Sequence, residues 1–199
     1  LVMVIVGSGI MAENLTNDNA VRLLANTIAT GAGLFVLITA FANISGAHLN
    51  PFVSLSMYLT KRIKGKELLT FIPAQILGCL LGVMLANVFF EHSIIELSTK
   101  NRDGFHIFLS EIVATFGLIF IIFATLKDGK TTVAACVATY ISAGYWFTSS
   151  TSFANPAVAI ARTFTDSFTG INYLNTPTYI FAELLGAIVA IYIIKRLIK

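Results

Sequence analysis

Charge is what this chain has least of. Asp, Glu, Lys and Arg together make up 12% of its 199 residues, about half the share found in soluble domains. A water-facing surface cannot be assembled from so few charges, so lipid is the expected solvent for most of the chain. The net charge is only +3, and the basic residues sit in short clusters between apolar runs. That arrangement excludes a nucleic-acid-binding stripe. Cysteine is scarce as well. Cys79 and Cys136 lie inside apolar runs, where they read as small packing residues rather than disulfide partners or metal ligands. The three histidines lack ligand spacing. No paired acid and base, nucleophile elbow or metal cluster stands out, so neither an enzyme, a cofactor nor a metal is expected. Leu1 to Met11 has no initiator Met and no basic segment before it, which fits a signal peptide poorly.

Hydrophobic residues, by contrast, make up 56% of the chain, and the mean hydropathy is +0.83. Apolar stretches long enough to span a bilayer recur at about 22–44, 68–90, 107–126, 131–148 and 178–198. Leu1 to Met11 is too short to span and is expected to be the second half of a helix. That makes six candidate spans in an all-α membrane protein. Two further apolar segments, about 50–60 and 156–164, are too short and are candidates for re-entrant half-helices.

The polar joints alternate in charge. If they also alternate in side, residues 61–66, 127–130 and the C-terminus share a face that holds nine of the 13 basic residues against two acids. Cytoplasmic loops are enriched in Lys and Arg, so this face is expected to be cytoplasmic, with both termini on it.

An internal repeat runs through the chain. S-G-A-H-L-N-P-F-V-S at 45–54 resembles S-F-A-N-P-A-V-A at 152–159, and their Asn residues lie 105 positions apart. The helix after the first begins A-Q-I-L-G at Ala74. The helix after the second begins A-E-L-L-G at Ala182, which is 108 positions later. Two landmarks at nearly one offset point to duplication. The expected domain is a single one over 1–199, with repeat one at about 1–90 and repeat two at about 107–199. Three spans per half invert the halves, and inverted repeats place permeation sites at the midplane on broken helices.

Asn is a strong helix N-cap and Pro is favoured at the first helical position. Asn50-Pro51 and Asn155-Pro156 therefore each start a short helix within the bilayer. Irregular backbone at that depth is tolerated only when buried in protein or lining a wet cavity. Two half-helices meeting N-terminus to N-terminus, each end carrying about half a positive charge, form a barrier to cations and protons. If each Asn carbonyl oxygen caps its own helix, its amide can donate to a passing solute oxygen.

At these residues the chain resembles the aquaporin and glycerol-facilitator (major intrinsic protein) family. S-G-A-H-L-N-P is close to the family's first signature and A-N-P-A to its second, and the likeness extends over the whole chain, including Glu111 in S-E-I-V-A-T-F-G. The resemblance implies an aquaporin-like fold of six transmembrane helices and two half-helices, a pore in each subunit, small neutral solutes as cargo, a lipid bilayer around it and a homotetramer. It assigns the pore motif to Asn50, Pro51, Phe52, Asn155, Pro156 and Ala157. It makes Glu111 an anchor for the pore loop. Glu183 lies near the start of its span, where solvent is expected to reach it.

The chain departs from the family pattern in two places. Phe52 stands where the first motif usually ends in Ala. Val158 stands where an arginine usually lines the narrowest point. By the same offsets the remaining filter positions are Thr30, Ala143 and Ser152, which predicts a wide, weakly polar constriction passing water, polyols, urea or metalloid hydroxides such as arsenite. The run T-S-F-A-N-P-A-V-A-I-A-R resembles a bacterial branch linked to arsenic detoxification, which places the chain in an inner membrane. Arg162, one turn past Val158, either reaches back to replace the absent arginine or, as favoured, snorkels to water or headgroups. His48 either packs the loop or lines the vestibule as a pH-sensitive gate. Two other functions remain open: a secondary transporter with broken helices, which charged midplane residues would favour, and a non-conducting membrane protein, which long docking loops would favour.

Overall fold

The structure, a computed structural model, describes residues 1–197. Ile198, the end of the last expected span, and Lys199 of the basic tail lie outside the described residues. Among the described residues eight α-helices follow one another: α1 (Val2–Leu15), α2 (Asn19–Phe41), α3 (Pro51–Leu59), α4 (Gly65–Phe89), α5 (Phe105–Thr125), α6 (Lys130–Phe147), α7 (Pro156–Ala161) and α8 (Thr176–Leu197). Helices α2, α4, α8 and α5 with its short 3-10 extension are long and apolar enough to cross a membrane. Helix α6, at 18 residues, rises about 27 Å at 1.5 Å per residue, close to the thickness of a hydrocarbon core.

Four of the five expected full spans begin two or three residues earlier than hydropathy alone indicates, and polar caps set two of those starts. Asp18 Oδ1 accepts the Ala20 backbone N–H at 2.8 Å and so starts α2. The Glu67 carboxylate reaches back to the Lys64 backbone N–H at 2.7 Å and starts α4. Helix α4 exposes Leu69, Leu77, Leu81 and Leu85. An apolar face of that length needs lipid or another apolar surface against it.

Small residues bring the helices close. Gly186 of α8 lies directly against the Ile112 carbonyl of α5, where a Cβ would clash. Ala114, Ala187 and Ala190 pack around this crossing, fully buried. Gly82 of α4 meets the backbone of α1 at Met3, whereas Gly78 faces open space. At one end of the bundle the α4–α5 loop and the α7–α8 loop are tied together. The Ser98 N–H donates to Thr163 O at 2.9 Å and the Asn172 N–H to Lys100 O at 2.8 Å. The Thr99 N–H donates to Asp166 Oδ1 at 2.9 Å, and Glu13 of α1 accepts the Phe168 N–H at 2.6 Å. The opposite end carries Lys61, Arg62, Lys64 and Lys66.

Candidate functional site: a lumen between two half-helices

The two short helices start as their sequences require. Asn50 Oδ1 accepts the Phe52 N–H at 2.9 Å, and Asn155 Oδ1 accepts those of Ala157 and Val158 at 3.1 and 3.4 Å. Pro51 and Pro156 occupy the first helical positions. The carboxamides then cross over. Asn50 Nδ2 donates to Ala154 O at 2.6 Å, and Asn155 Nδ2 donates to Leu49 O at 2.8 Å. Each Asn is thus fixed at both ends. Each amide keeps a second N–H with no protein acceptor among the described residues.

The loops before the two Asn residues have the same unusual backbone. Gly46, Ala47 and Leu49 have φ of 78°, 49° and 52°, and Thr151, Ser152 and Ala154 have φ of 63°, 50° and 47°. These positions lie four, three and one residues before Asn50 and Asn155. Left-handed torsions cost a non-glycine residue about 1–2 kcal/mol, so something must hold them. In the second loop two carboxylates do. Glu111 accepts the N–H groups of Phe153 and Ala154 at 2.9 and 2.8 Å, and Glu183 accepts that of Asn155 at 2.9 Å. Glu183, expected near solvent, is fully buried. It lies about two turns inside α8, where the close α5 crossing covers it.

A narrow cavity of about 100 Å³ runs between the half-helices, room for a file of a few water molecules at about 30 Å³ each. Its walls repeat every four residues: Thr30, Leu34 and Ile38 from α2; Val133, Val137, Ile141 and Tyr145 from α6; Val53 and Met57 from α3; Leu118 and Ile122 from α5; Val158 from α7 and Arg162 from the 3-10 turn that follows it. The pore-facing loops add residues 46–50 and 152–155. The carbonyls of Gly46, Ala47 and His48, and of Thr151, Ser152 and Phe153, accept no hydrogen bond among the described residues. The lumen therefore pairs an apolar wall with two loops that carry carbonyls without a protein partner.

The structure places Thr30, Ser152, Val158 and Arg162 on this lumen but not Ala143. Ala143 is exposed on the far side of α6. The lumen residue is Tyr145, two positions on and about 200° around the helix, whose hydroxyl donates to Thr30 Oγ1 at 3.2 Å. The offset of twelve residues from Asn155 presumes a longer connection than the one that leaves α6. The four-residue rhythm of Val133, Val137, Ile141 and Tyr145 is the signal that finds the right face. Tyr145 thus brings a larger side chain to this wall than Ala143 would. The Ser152 hydroxyl is buried without a partner.

Arg162 does not snorkel. It is 2% exposed, its Nε donates to Thr169 O, and its guanidinium lies over the Phe153 ring at 3.4 Å. Phe52 of α3 is partly buried and packs against the core instead of lining the lumen. His48 is half-buried, its Nδ1 3.0 Å from Ser54 Oγ and its ring edge-on to Phe71, and it also touches the lumen. At the tied-loop end, burial and the neighbouring Arg102 push the Lys100 ammonium down to about 8.

Comparison with known proteins agrees with this geometry. Residues 1–148 match the family model described as major intrinsic protein. Over its full length the chain is 47% identical to "Aquaglyceroporin AqpS" of Rhizobium meliloti (strain 1021), of which it spans 85%. It is 37% identical over 131 residues, 62% of this chain, to "Aquaporin TIP1-2" of Musa acuminata, spanning 51% of that protein. It is 27% identical over 198 residues, 95% of this chain, to "Aquaporin-4" of Rattus norvegicus, spanning 61% of it. Among solved structures it resembles the aquaglyceroporin from Plasmodium falciparum, with a TM-score of 0.74 at 22% identity, covering 99% of this chain and 91% of that one. At that identity the likeness concerns the fold.

Proposed function

From the premise that the chain belongs to the major intrinsic protein family, a family of membrane channels, we propose that it is a passive conduit for small uncharged solutes. Water, glycerol-like polyols and metalloid hydroxides such as arsenite are its cargo. The observation that carries this reading is the pair of crossed carboxamides. Asn50 and Asn155 are each locked by their own half-helix and by the opposite loop. Each has one N–H left for a solute oxygen. The converging half-helix dipoles disfavour cations at the same point.

Thr30, Tyr145, Ser152, Val158 and Arg162 form the selectivity filter. Tyr145 and Val158 give it an apolar side. The Arg162 terminal nitrogens and the Ser152 hydroxyl, none bonded to protein among the described residues, give it a polar side. A polyol with a carbon edge and a hydroxyl edge fits such a slot. A secondary transporter is disfavoured because Glu111 and Glu183, the charges buried in the spans, are occupied in holding the loop. The chain is a channel rather than an enzyme. Its basic end faces the cytoplasm of a bacterial inner membrane with both termini on that side. The two halves are one domain, and the channel assembles as a homotetramer.

The test is flux in proteoliposomes. Stopped-flow light scattering should show water, glycerol and arsenite entering without a sodium or proton gradient. Flux restricted to water would sink the polyol filter, and flux that requires an ion gradient would sink the channel.

A further inference from the structure

We propose that Arg102, from the loop between α4 and α5, is a positioning residue that keeps the Arg162 guanidinium turned into the lumen. This rests on Arg162 lining the conduction path, as proposed above. Arg102 itself does not line the lumen.

Both guanidinium groups lie over one phenyl ring, that of Phe153, Arg162 at 3.4 Å and Arg102 at 5.5 Å from its centroid. They also share a run of three carbonyls. Arg102 donates through Nη2 to Phe168 O at 2.9 Å and through Nε to Gly170 O at 2.8 Å, while Arg162 Nε takes Thr169 O between them. Arg102 is pinned from behind as well, its backbone N–H donating to Asn175 Oδ1 at 2.9 Å. Lys100 adds a third positive charge to the same segment, with Nζ on Phe168 O at 2.8 Å.

No carboxylate is in ion-pair contact with this group; Glu111 acts on both arginines, and Glu13 on Lys100, only from a longer range. Among the described residues the only ion pair is His92 with Glu96. The two arginines stand on a common ring, which brings their charges within roughly 9 Å of each other, about a Debye length at physiological salt. An arginine near a membrane interface ordinarily snorkels outward. Here the outward direction leads toward Arg102 and Lys100. Like charge on that side leaves the lumen as the favourable direction for Arg162. Val158 stands at the family's usual arginine position, and Arg162, one turn further along, lines the same lumen.

Arg102 can instead be no more than a loop tie, and a double-substitution cycle separates the two roles. The variants are Arg102→Gln, Arg162→Gln, both together, and Arg102→Lys, each in proteoliposomes. Arg102→Gln is expected to raise cation leak and the glycerol-to-water flux ratio by about fivefold, the upper end for one partly screened charge contact. The double variant should match Arg162→Gln alone, and Arg102→Lys, which keeps the charge, should restore most of the wild-type ratio. Multiplying effects in the double variant, or equal loss of water and glycerol flux without added leak, overturns the proposal. Orientation is also readable without transport. Phenylglyoxal added from the loop side, followed by peptide mass spectrometry, should modify Arg162 faster in Arg102→Gln than in the wild type. An unchanged rate overturns the proposal even in a protein that carries no solute. Wild-type protein without flux refutes the channel reading alone.

Discussion

Glu111→Gln tests whether the second pore loop is held by a carboxylate. The wild-type side chain accepts two consecutive backbone N–H groups, those of Phe153 and Ala154. Glutamine has a similar shape but only one acceptor oxygen; its NH2 would face the other N–H donor to donor. A charge-assisted bond worth about 1.5–3 kcal/mol is lost, and a buried N–H left unpaired costs about 1–3 kcal/mol more. The surviving bond also weakens once its acceptor is neutral. The combined penalty is about 4 kcal/mol. Three left-handed residues in this loop, Thr151, Ser152 and Ala154, store about 1–2 kcal/mol each. Penalty and stored strain are of the same size, so the loop is expected to relax into the lumen.

Two assays read the outcome. In detergent the melting temperature should fall by about 10 °C, taking about 2–4 °C per kcal/mol for a chain of this length. In proteoliposomes, water and glycerol permeability should both collapse. Glu183→Gln is the internal comparison. Glu183 accepts one N–H, that of Asn155, and its second oxygen is already without a partner, so the loss should be about half as large. A Glu111→Gln protein that melts within 2 °C or so of wild type and conducts normally refutes the anchoring argument, since an error of that size exceeds the spread of these magnitudes.

Two further outcomes follow from the walls of the lumen and its mouth. Tyr145→Ala removes the phenol that narrows the filter beside Thr30; the glycerol-to-water flux ratio should rise severalfold, and an unchanged ratio would show that the constriction lies elsewhere. Lys100 is held down to about 8 against about 10.4 in an unfolded chain. Between those values the unfolded chain carries a proton that the folded chain has released, so stability should rise with pH across that window and be lost as pH falls through it. A melting profile from pH 7 to 10 should show that rise in wild type and lose it in Lys100→Met; parallel profiles would contradict it.

The features legible in the sequence are those that depend on neighbours along the chain. Capping chemistry fixes where α3 and α7 begin, and hydropathy finds the spans, because both act over a few residues. What stayed hidden depends on lengths and contacts that the sequence does not display. Ala143 was misplaced because the connection after α6 is short, and a two-residue change turns a helix by more than half a circle. The direction of Arg162 depends on Phe153 and the Thr169 carbonyl, neither of which is near it in a helical repeat. Glu183 looked accessible because it stands close to the start of α8. Its burial comes from α5, drawn tightly against α8 at Gly186.

The matching torsions of the two loops point to the origin of their shape. Gly46, Ala47, His48 and Leu49 share almost no chemistry with Thr151, Ser152, Phe153 and Ala154, and only one of the six left-handed positions is a glycine. Residue preference therefore does not set the pattern. The shared element is the cross-bond, in which each Asn amide holds the carbonyl of the residue just before the other Asn. Because the backbone is fixed in this reciprocal way, the intervening side chains are free to differ. His48 turns toward Ser54, which Gln75 also reaches at 2.9 Å. Phe153 becomes the platform on which Arg162 and Arg102 sit. Backbone symmetry supplies the solute donors at the centre of the lumen, and the departure from symmetry at His48 and Phe153 is what can make its two ends chemically distinct.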